Sequence, residues 1–541
     1  MTSNTEQQQT GPLTAAEVEK ISVGYSFAEP ALEMGALVNG EALPEVQIRI
    51  PIAMTNRHGL IAGATGTGKT RTLQVLLEQL SSNGVPVFAA DIKGDLSGVA
   101  TPGVASEKLL ARTAGIGQEW QAAATPVEYF SLGGNGHGVP IRATVKSFGP
   151  LLFAKVLGLN ETQESSLKLI FNYAAQHQVP LNTIADLKAV LTHLTSPEGK
   201  AELAALGGVS KQTAGVILRE LSNFEAAGAA NFFGQPEMPS SEFLRYAADG
   251  RGIVSLLQIP GVAHQPEVFS TFLMWLLADL FRTLPEVGDA PKPKLVFFFD
   301  EAHLLFKDAS KAFISQVVQT VRLIRSKGVG VFFITQSPKD LPNDVLAQLG
   351  SRVQHQLRAH TPDDAAALKA AARTYPDSGY DLEKVLTELA TGEAIVTVMN
   401  EKGAPTPTAW TRLRAPQGLM DPTPEADIVA AVNASQLLPR YGTPVQSVSA
   451  AEILAGRVAA AQQAAGADAA GDGRGYRDGE RYRESERYRD SAPQRHAPAP
   501  RRQSTRQQKS GIEKVIGSRT GQTVIREVTR AIINTIFGKR R

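Results

Sequence analysis

Apolar residues along this chain fall into two rhythms. Short, almost unbroken apolar runs occupy residues 59–62, 85–90, 252–259, 294–299, 329–334 and 394–399. Each suits a strand better than a helix, and a run without alternation predicts a strand covered on both faces. Between them, apolar positions recur three and four apart at 71–80, 151–157, 165–174, 185–194 and 313–326, which predicts helices. Residues 40–50 alternate instead and predict a few strands leading into the core. The expected fold class is α/β.

The texture also divides the chain. Residues 1–20 are polar and expected to be disordered; 21–104 open the core, and 249–455 complete it. Residues 105–248 read as a mainly helical insertion, with strand-like pieces at 127–131 and 141–145. Residues 456–511 form a low-complexity charged linker, in which arginines, tyrosines and acids repeat at 474–489. Residues 512–541 end in a basic amphipathic helix, with Ile525, Val528, Ile532 and Ile536 on one face. Such a helix suits a neighbouring subunit, another protein or an anionic membrane surface, with protein the first choice.

Composition removes several classes. The chain has no cysteine, so disulfides, thiolate zinc sites and cysteine nucleophiles are excluded. The polar start lacks the basic and apolar regions of a signal peptide, and the most lipid-like segment, 272–281, is too short to span a bilayer and carries Asp279. The expected location is the cytoplasm. A net charge of +2 points to no partner class, although the C-terminal tail is strongly basic.

The chemistry begins where the first apolar run ends. Gly63-x-x-x-x-Gly68-Lys69-Thr70 is a phosphate-binding loop pattern, preceded by a strand and followed by a helix. Gly63, Gly66 and Gly68 let the backbone curl so that its N–H groups face a phosphate chain, and the helix adds its dipole. Candidate nucleotide contacts are therefore Gly63, Ala64, Thr65, Gly66, Thr67, Gly68, Lys69, Thr70 and Arg71. The run at 294–299 ends in Asp300-Glu301, the second signature of such enzymes. Thr70 and Asp300 are the candidate Mg²⁺ ligands, and Glu301 is the candidate group that orients the attacking water. Gln336 ends the strand beside it and is placed to contact the γ-phosphate or that water. Asp91, Lys93 and Asp95 end another apolar strand and read equally as site groups or as a solvated loop. Arg322, Arg325, Arg352 and Arg358 are all candidates for a charge-neutralising arginine donated across a subunit interface.

Residues 56–70, 91–98, 295–306, 322–336 and 349–361 together resemble the HerA-like bacterial ATPases of the HerA/FtsK superfamily, within them the YjgR-type group. The resemblance covers about residues 20–455. It implies a RecA-like P-loop core in a hexameric ring with nucleotide sites between subunits, and a Mg²⁺-dependent ATP hydrolysis that translocates DNA. In that likeness Lys69 and Thr70 match the Walker A residues, Asp300 and Glu301 the Walker B pair, and Gln336 the sensing glutamine. Arg352 and Arg358 fall in a stretch similar to the family's arginine-bearing strand. The alternatives are a protein-directed or membrane-associated assembly or secretion ATPase, and a nucleotide-gated scaffold.

Overall fold

In the computed structural model, which describes residues 11–259, 266–288, 290–306 and 311–471, the apolar runs pair into one 12-stranded sheet. The strands are β1 (Ala31–Asn39), β2 (Glu41–Pro51), β3 (Gly59–Ala62), β4 (Val87–Asp91), β5 (Val127–Leu132) and β6 (Val139–Ile141), followed by β7 (Val254–Gln258), β8 (Leu295–Phe299), β9 (Val329–Thr335), β10 (Ser351–Gln354), β11 (Glu393–Thr397) and β12 (Ala409–Leu413). Their order is β2-β1-β12-β11-β10-β3-β9-β8-β4-β7-β5-β6. From β10 to β6 every pairing is parallel, whereas β11, β12, β1 and β2 add an antiparallel flank.

Both sheet faces are apolar because side chains alternate along each strand. Leu60, Ala62, Phe88, Ala90, Phe297, Phe299, Val331 and Phe333 point to one face. There they meet helices of the long segment before β7 and α9 (Pro266–Thr283). The segment holds α3 (Glu107–Ala114), α4 (Val145–Val156), α5 (Glu161–Gln176), α6 (Ile184–Thr195), α7 (Lys200–Ala205) and α8 (Lys211–Ala226). Their starts are written locally: Asn160 and Gln163 form a capping box on α5, as Thr183 and Asp186 do on α6. Ile61, Val87, Ala89, Val296, Phe298, Phe332 and Ile334 point to the other face, against Leu73, Leu76, Leu77 and Leu80 of α2 (Lys69–Ser82). Each of the buried Leu, Ile, Val and Phe side chains stabilises the fold by about 1.5–3 kcal/mol.

Two local outcomes differ from expectation. Residues 11–20 fall in the segment expected to be disordered, yet α1 (Ala15–Gly24) forms there, because Thr14 and Glu17 close a capping box at its start. A helix at Ala450–Gly471 enters the expected linker from 456, its alanines carrying high helix propensity. The charged repeat and the terminal amphipathic helix lie outside the described residues.

The chain leaves β3 through α2 and skips over β9 and β8 to reach β4. β3 therefore ends at a switch point on the carboxyl edge of the parallel sheet, where open α/β sheets place their ligands. After β12 the chain returns across α2. Glu78 of α2, only 6% exposed, accepts the N–H groups of Gln417 and Gly418 at 2.8 Å each and so ties the returning segment down.

Burial pushes the Glu78 carboxyl up to about 7, against the opposing effect of those two N–H donors. The native state thus holds this proton more tightly than the unfolded chain. The resulting stabilisation is full below pH 4.5 and is lost as pH rises through about 7. Relative to Glu78→Gln, the wild type should lose about 3 kcal/mol between those limits, read from denaturant midpoints at pH 4.5 and 7.5.

Candidate functional site

β3 is buried throughout and delivers its last residue, Ala62, directly into the glycine loop. What shapes the loop lies beneath it, at the end of β10. His355 donates its backbone N–H to Ala62 O at 2.7 Å, and Ala64 donates to Gln356 O at 2.8 Å. The His355 ring stands under the loop with Nδ1 3.1 Å from Thr67 O and Nε2 3.0 Å from Thr72 Oγ1. A carbonyl only accepts, so Nδ1 carries the proton and Nε2 accepts from the Thr72 hydroxyl. Burial first, and the Lys69 charge second, pull the His355 pKa down to about 3, which keeps the ring neutral. Gly63 has to be glycine here, since a Cβ on it would lie 2.4 Å from His355 Cβ. Gly68, at φ 109°, turns the chain into α2.

Among the described residues, no protein acceptor faces the backbone N–H groups of Gly66, Gly68, Lys69 or Thr70. These donors surround the N-terminus of a 14-residue helix, an arrangement suited to an anion. Lys69 Nζ folds back onto Gly63 O at 2.6 Å and Ala64 O at 3.1 Å. Burial lowers its pKa, and the charges of Glu301 and Asp300 oppose that shift. Arg71 bonds Gln74 Oε1 at 3.0 Å and faces the charges of Asp95 and Asp421.

Beyond β9, β8 ends in Asp300 and Glu301, both under a tenth exposed. Asp300 Oδ1 accepts the Glu301 N–H at 2.9 Å; burial and then the Glu301 charge push its pKa upward. Glu301 sits in the left-handed region at φ 47°, an unfavourable conformation for a residue with a Cβ and one that concentrates at functional sites. The next N–H, of Ala302, is held by Ile334 O at 2.8 Å. Glu301 Oε1 forms an ion pair with Lys93. Burial alone would raise the Glu301 pKa, but the Lys93 bond and charge outweigh it and the net shift is downward. His303 Nδ1 stands 3.3 Å from Glu301 Oε2, close enough for charge but without hydrogen-bond geometry. Asp91, at the end of β4, is 3% exposed, and burial raises its pKa to about 7. Lys93 thus enters the site, which sequence left open because the strand order decides it.

Gln336 is exposed at the carboxyl end of β9, between the strands that carry the loop and the acids. The arginines separate. Arg358 Nη2 reaches Thr65 O of its own loop at 3.3 Å. Arg352 bonds Thr374 Oγ1 at 2.6 Å and lines a cavity of about 1010 Å³ with Arg57, Arg322 and Arg325. That cavity opens where the chain enters β3, β9 and β10, at the amino edge, the side of the sheet opposite the loop. His355 and its contacts were not singled out in the sequence; its signal lay only in proximity to the arginine-bearing strand.

A family model described as helicase HerA-like C-terminal matches residues 37–541. The chain belongs to the HerA-like helicase family. It is 22% identical over 395 residues to the DNA double-strand break repair helicase HerA of Sulfolobus acidocaldarius, covering 71% of this chain and 70% of that protein. Its likeness to the HerA helicase of Saccharolobus solfataricus is also 22%, over 391 residues, covering 71% and 69% respectively. The bacterial conjugative coupling protein TrwBdeltaN70 superposes with a TM-score of 0.51 at 14% identity, over 75% of this chain and 94% of that one. The fold is thus a RecA-like P-loop core, and this HerA-like protein is an ATPase.

The neutral His355 ring gives this HerA-like ATPase its loop floor. His355→Ala removes both ring bonds and opens a void under Gly63. It should destabilise the protein by about 2–4 kcal/mol and weaken ADP binding by about tenfold or more, measured by denaturant unfolding and by titration calorimetry.

Proposed function

We propose that this protein hydrolyses ATP with Mg²⁺ at the interfaces of a hexameric ring of its own copies, and uses the turnover to move DNA. The observation that carries the reading is the division of labour between the two sheet edges. Loop, lysines and acids meet at the carboxyl edge, whereas Arg322, Arg325 and Arg352 gather at the amino edge, away from their own loop. An arginine from that cluster reaches a nucleotide only if the nucleotide is bound by a neighbouring copy. Arg358, on its own loop, serves within the chain.

The residues fit Mg²⁺. Burial first and the Glu301 charge second raise the Asp300 carboxyl, and Asp91 Oδ2 is buried with no hydrogen-bond partner among the described residues, so a divalent cation would relieve both. Thr70 and Asp300 would hold it, and when bound it neutralises charge building on the phosphate oxygens. The chain's own groups do the rest. The loop N–H groups and Lys69 hold the phosphate chain, Lys69 exchanging its two loop carbonyls for phosphate oxygens. Glu301 orients the attacking water and takes its proton, while Lys93 keeps the carboxylate ionised and aimed. Gln336 contacts the γ-phosphate from the neighbouring strand and transmits its presence to the ring.

DNA as the moving polymer is supported by the related HerA proteins, which are DNA double-strand break repair helicases by name. Steady-state hydrolysis by the wild type, with and without single- and double-stranded DNA, tests it. Stimulation that weakens as salt rises supports a DNA motor; indifference to DNA at every salt moves the substrate to protein. Glu301→Gln should bind ATP and lose at least about a hundredfold in turnover. Lys69→Ala and Arg352→Ala should each be nearly inactive alone yet recover activity when mixed, because mixed rings contain interfaces with both groups intact. Absence of recovery would place Arg352 outside the reaction.

A further inference from the structure

At the far edge of the sheet a second cation is held out of water. Arg142 follows β6, the edge strand, directly and is 5% exposed. Its Nη1 donates to Tyr441 O at 2.8 Å. A guanidinium carries five N–H donors, and among the described residues no carboxylate forms an ion pair with Arg142 and no other acceptor bonds it. Burial lowers its pKa, and no neighbouring charge enters that shift. A cation withdrawn from water without a counter-charge is unfavourable, and an anion that joins it removes the penalty.

Arg142 borders a cavity of about 500 Å³, shared with the end of β5, the start of α6 and the segment before the helix at Ala450–Gly471. Two carboxylates line it, and both are already engaged. Asp186 Oδ2 accepts the N–H groups of Asn182 and Thr183 and the Thr183 hydroxyl at 3.0 Å each, and Oδ1 accepts the Ala450 N–H at 2.8 Å. Glu452 Oε2 accepts the Ser449 N–H at 2.8 Å and its hydroxyl at 2.9 Å. Asn231, Gln235, Gln446 and Ser447 add neutral donors to the wall. The volume lies within the roughly 300–1,000 Å³ typical of small-molecule pockets. A guanidinium fork matches the oxygens of a phosphate or a carboxylate. A phosphate monoester brings about −1.5 to −2 charge and three acceptor oxygens, so it can take the fork and the surrounding amides at once.

We infer that the cavity beside Arg142 binds the phosphate group of a small molecule, with Arg142 as the counter-charge and the amides of Asn231, Gln235 and Gln446 around it. The site is separate from the glycine loop. Six strand spacings divide β6 from β3 in the sheet order, roughly 29 Å at about 4.8 Å each. Its ligand also bears on the segment 444–449, which Val445 N–H to Gln235 O and Asn182 Nδ2 to Ser447 Oγ, both at 2.9 Å, tie to the rest of the wall. Occupancy and the seating of that segment are then coupled.

Calorimetric titration of the purified full chain with ribose 5-phosphate, inorganic phosphate and ribose tests the site. The wild type and Lys69→Ala should bind at least one of the two phosphates with affinities within about twofold of each other, and ribose should not bind. Arg142→Gln removes the charge, and Ala230→Glu sets a carboxylate at the exposed mouth. Each should weaken phosphate binding by about tenfold or more. Because Ala230 is exposed, its variant keeps the test decisive if Arg142→Gln does not fold. Tighter binding of the ester assigns the amides to a sugar, and equal binding makes free phosphate the ligand; both support the site. A wild type that binds neither phosphate overturns it. So does binding that is lost in Lys69→Ala and kept in Ala230→Glu, which returns the anion to the glycine loop. Neither of these failures touches the ATPase reading.

Discussion

Everything at the carboxyl edge depends on how the glycine loop is seated on β10. A loop of unpaired N–H groups gathers an anion only if something other than those N–H groups holds its shape. Here the holding is done from below by the backbone of residues 355–356 and by the neutral ring of His355, whose two nitrogens grip Thr67 and Thr72. A charged imidazole in that place would sit beside Lys69 in a buried setting. The ring instead stays unprotonated, which leaves the positive potential of the loop to Lys69 and the helix N-terminus. The close approach of His355 to Gly63 is the steric half of the same constraint.

The charges around the loop are held by protein partners. Lys69 is folded onto loop carbonyls, Lys93 onto Glu301, and Asp300 shares its burial with a second carboxylate. Glu301 is strained, being buried, left-handed in φ and held by Lys93, which follows the adjoining strand β4. Neighbouring elements over-determine its conformation: Asp300 holds its N–H, and Ile334 holds the next one. That is the condition under which a strained residue persists. The consequence is a carboxylate whose position is set by β4, β8 and β9 together.

The two edges of the sheet have different electrostatic characters. The carboxyl edge mixes lysines with carboxylates around a helix N-terminus, while Arg57, Arg322, Arg325 and Arg352 line the cavity at the amino edge.

Contiguous residues determined a good deal by themselves. Unbroken apolar runs become strands when both sheet faces are covered, so β3, β4, β8, β9 and β11 were legible, as were the glycine loop and the Asp300-Glu301 pair, whose residues lie side by side in sequence. The start of α1 and the helix at Ala450–Gly471 were legible in principle, through a capping box and an alanine-rich run, but polar or low-complexity composition masked them. Tertiary structure alone decided the rest. Lys93 meets Glu301 across 208 residues, and His355 meets Thr72 across 283. Arg352 and Arg358 are six residues apart in number but serve different edges, because one begins β10 and the other follows its end. The cavity beside Arg142 gathers residues from the ends of β5 and β6, from the start of α6 and from the segment before the helix at Ala450–Gly471. Such meetings follow from strand order and register, which are set by long-range pairing of the whole sheet and leave no mark in any local stretch of sequence.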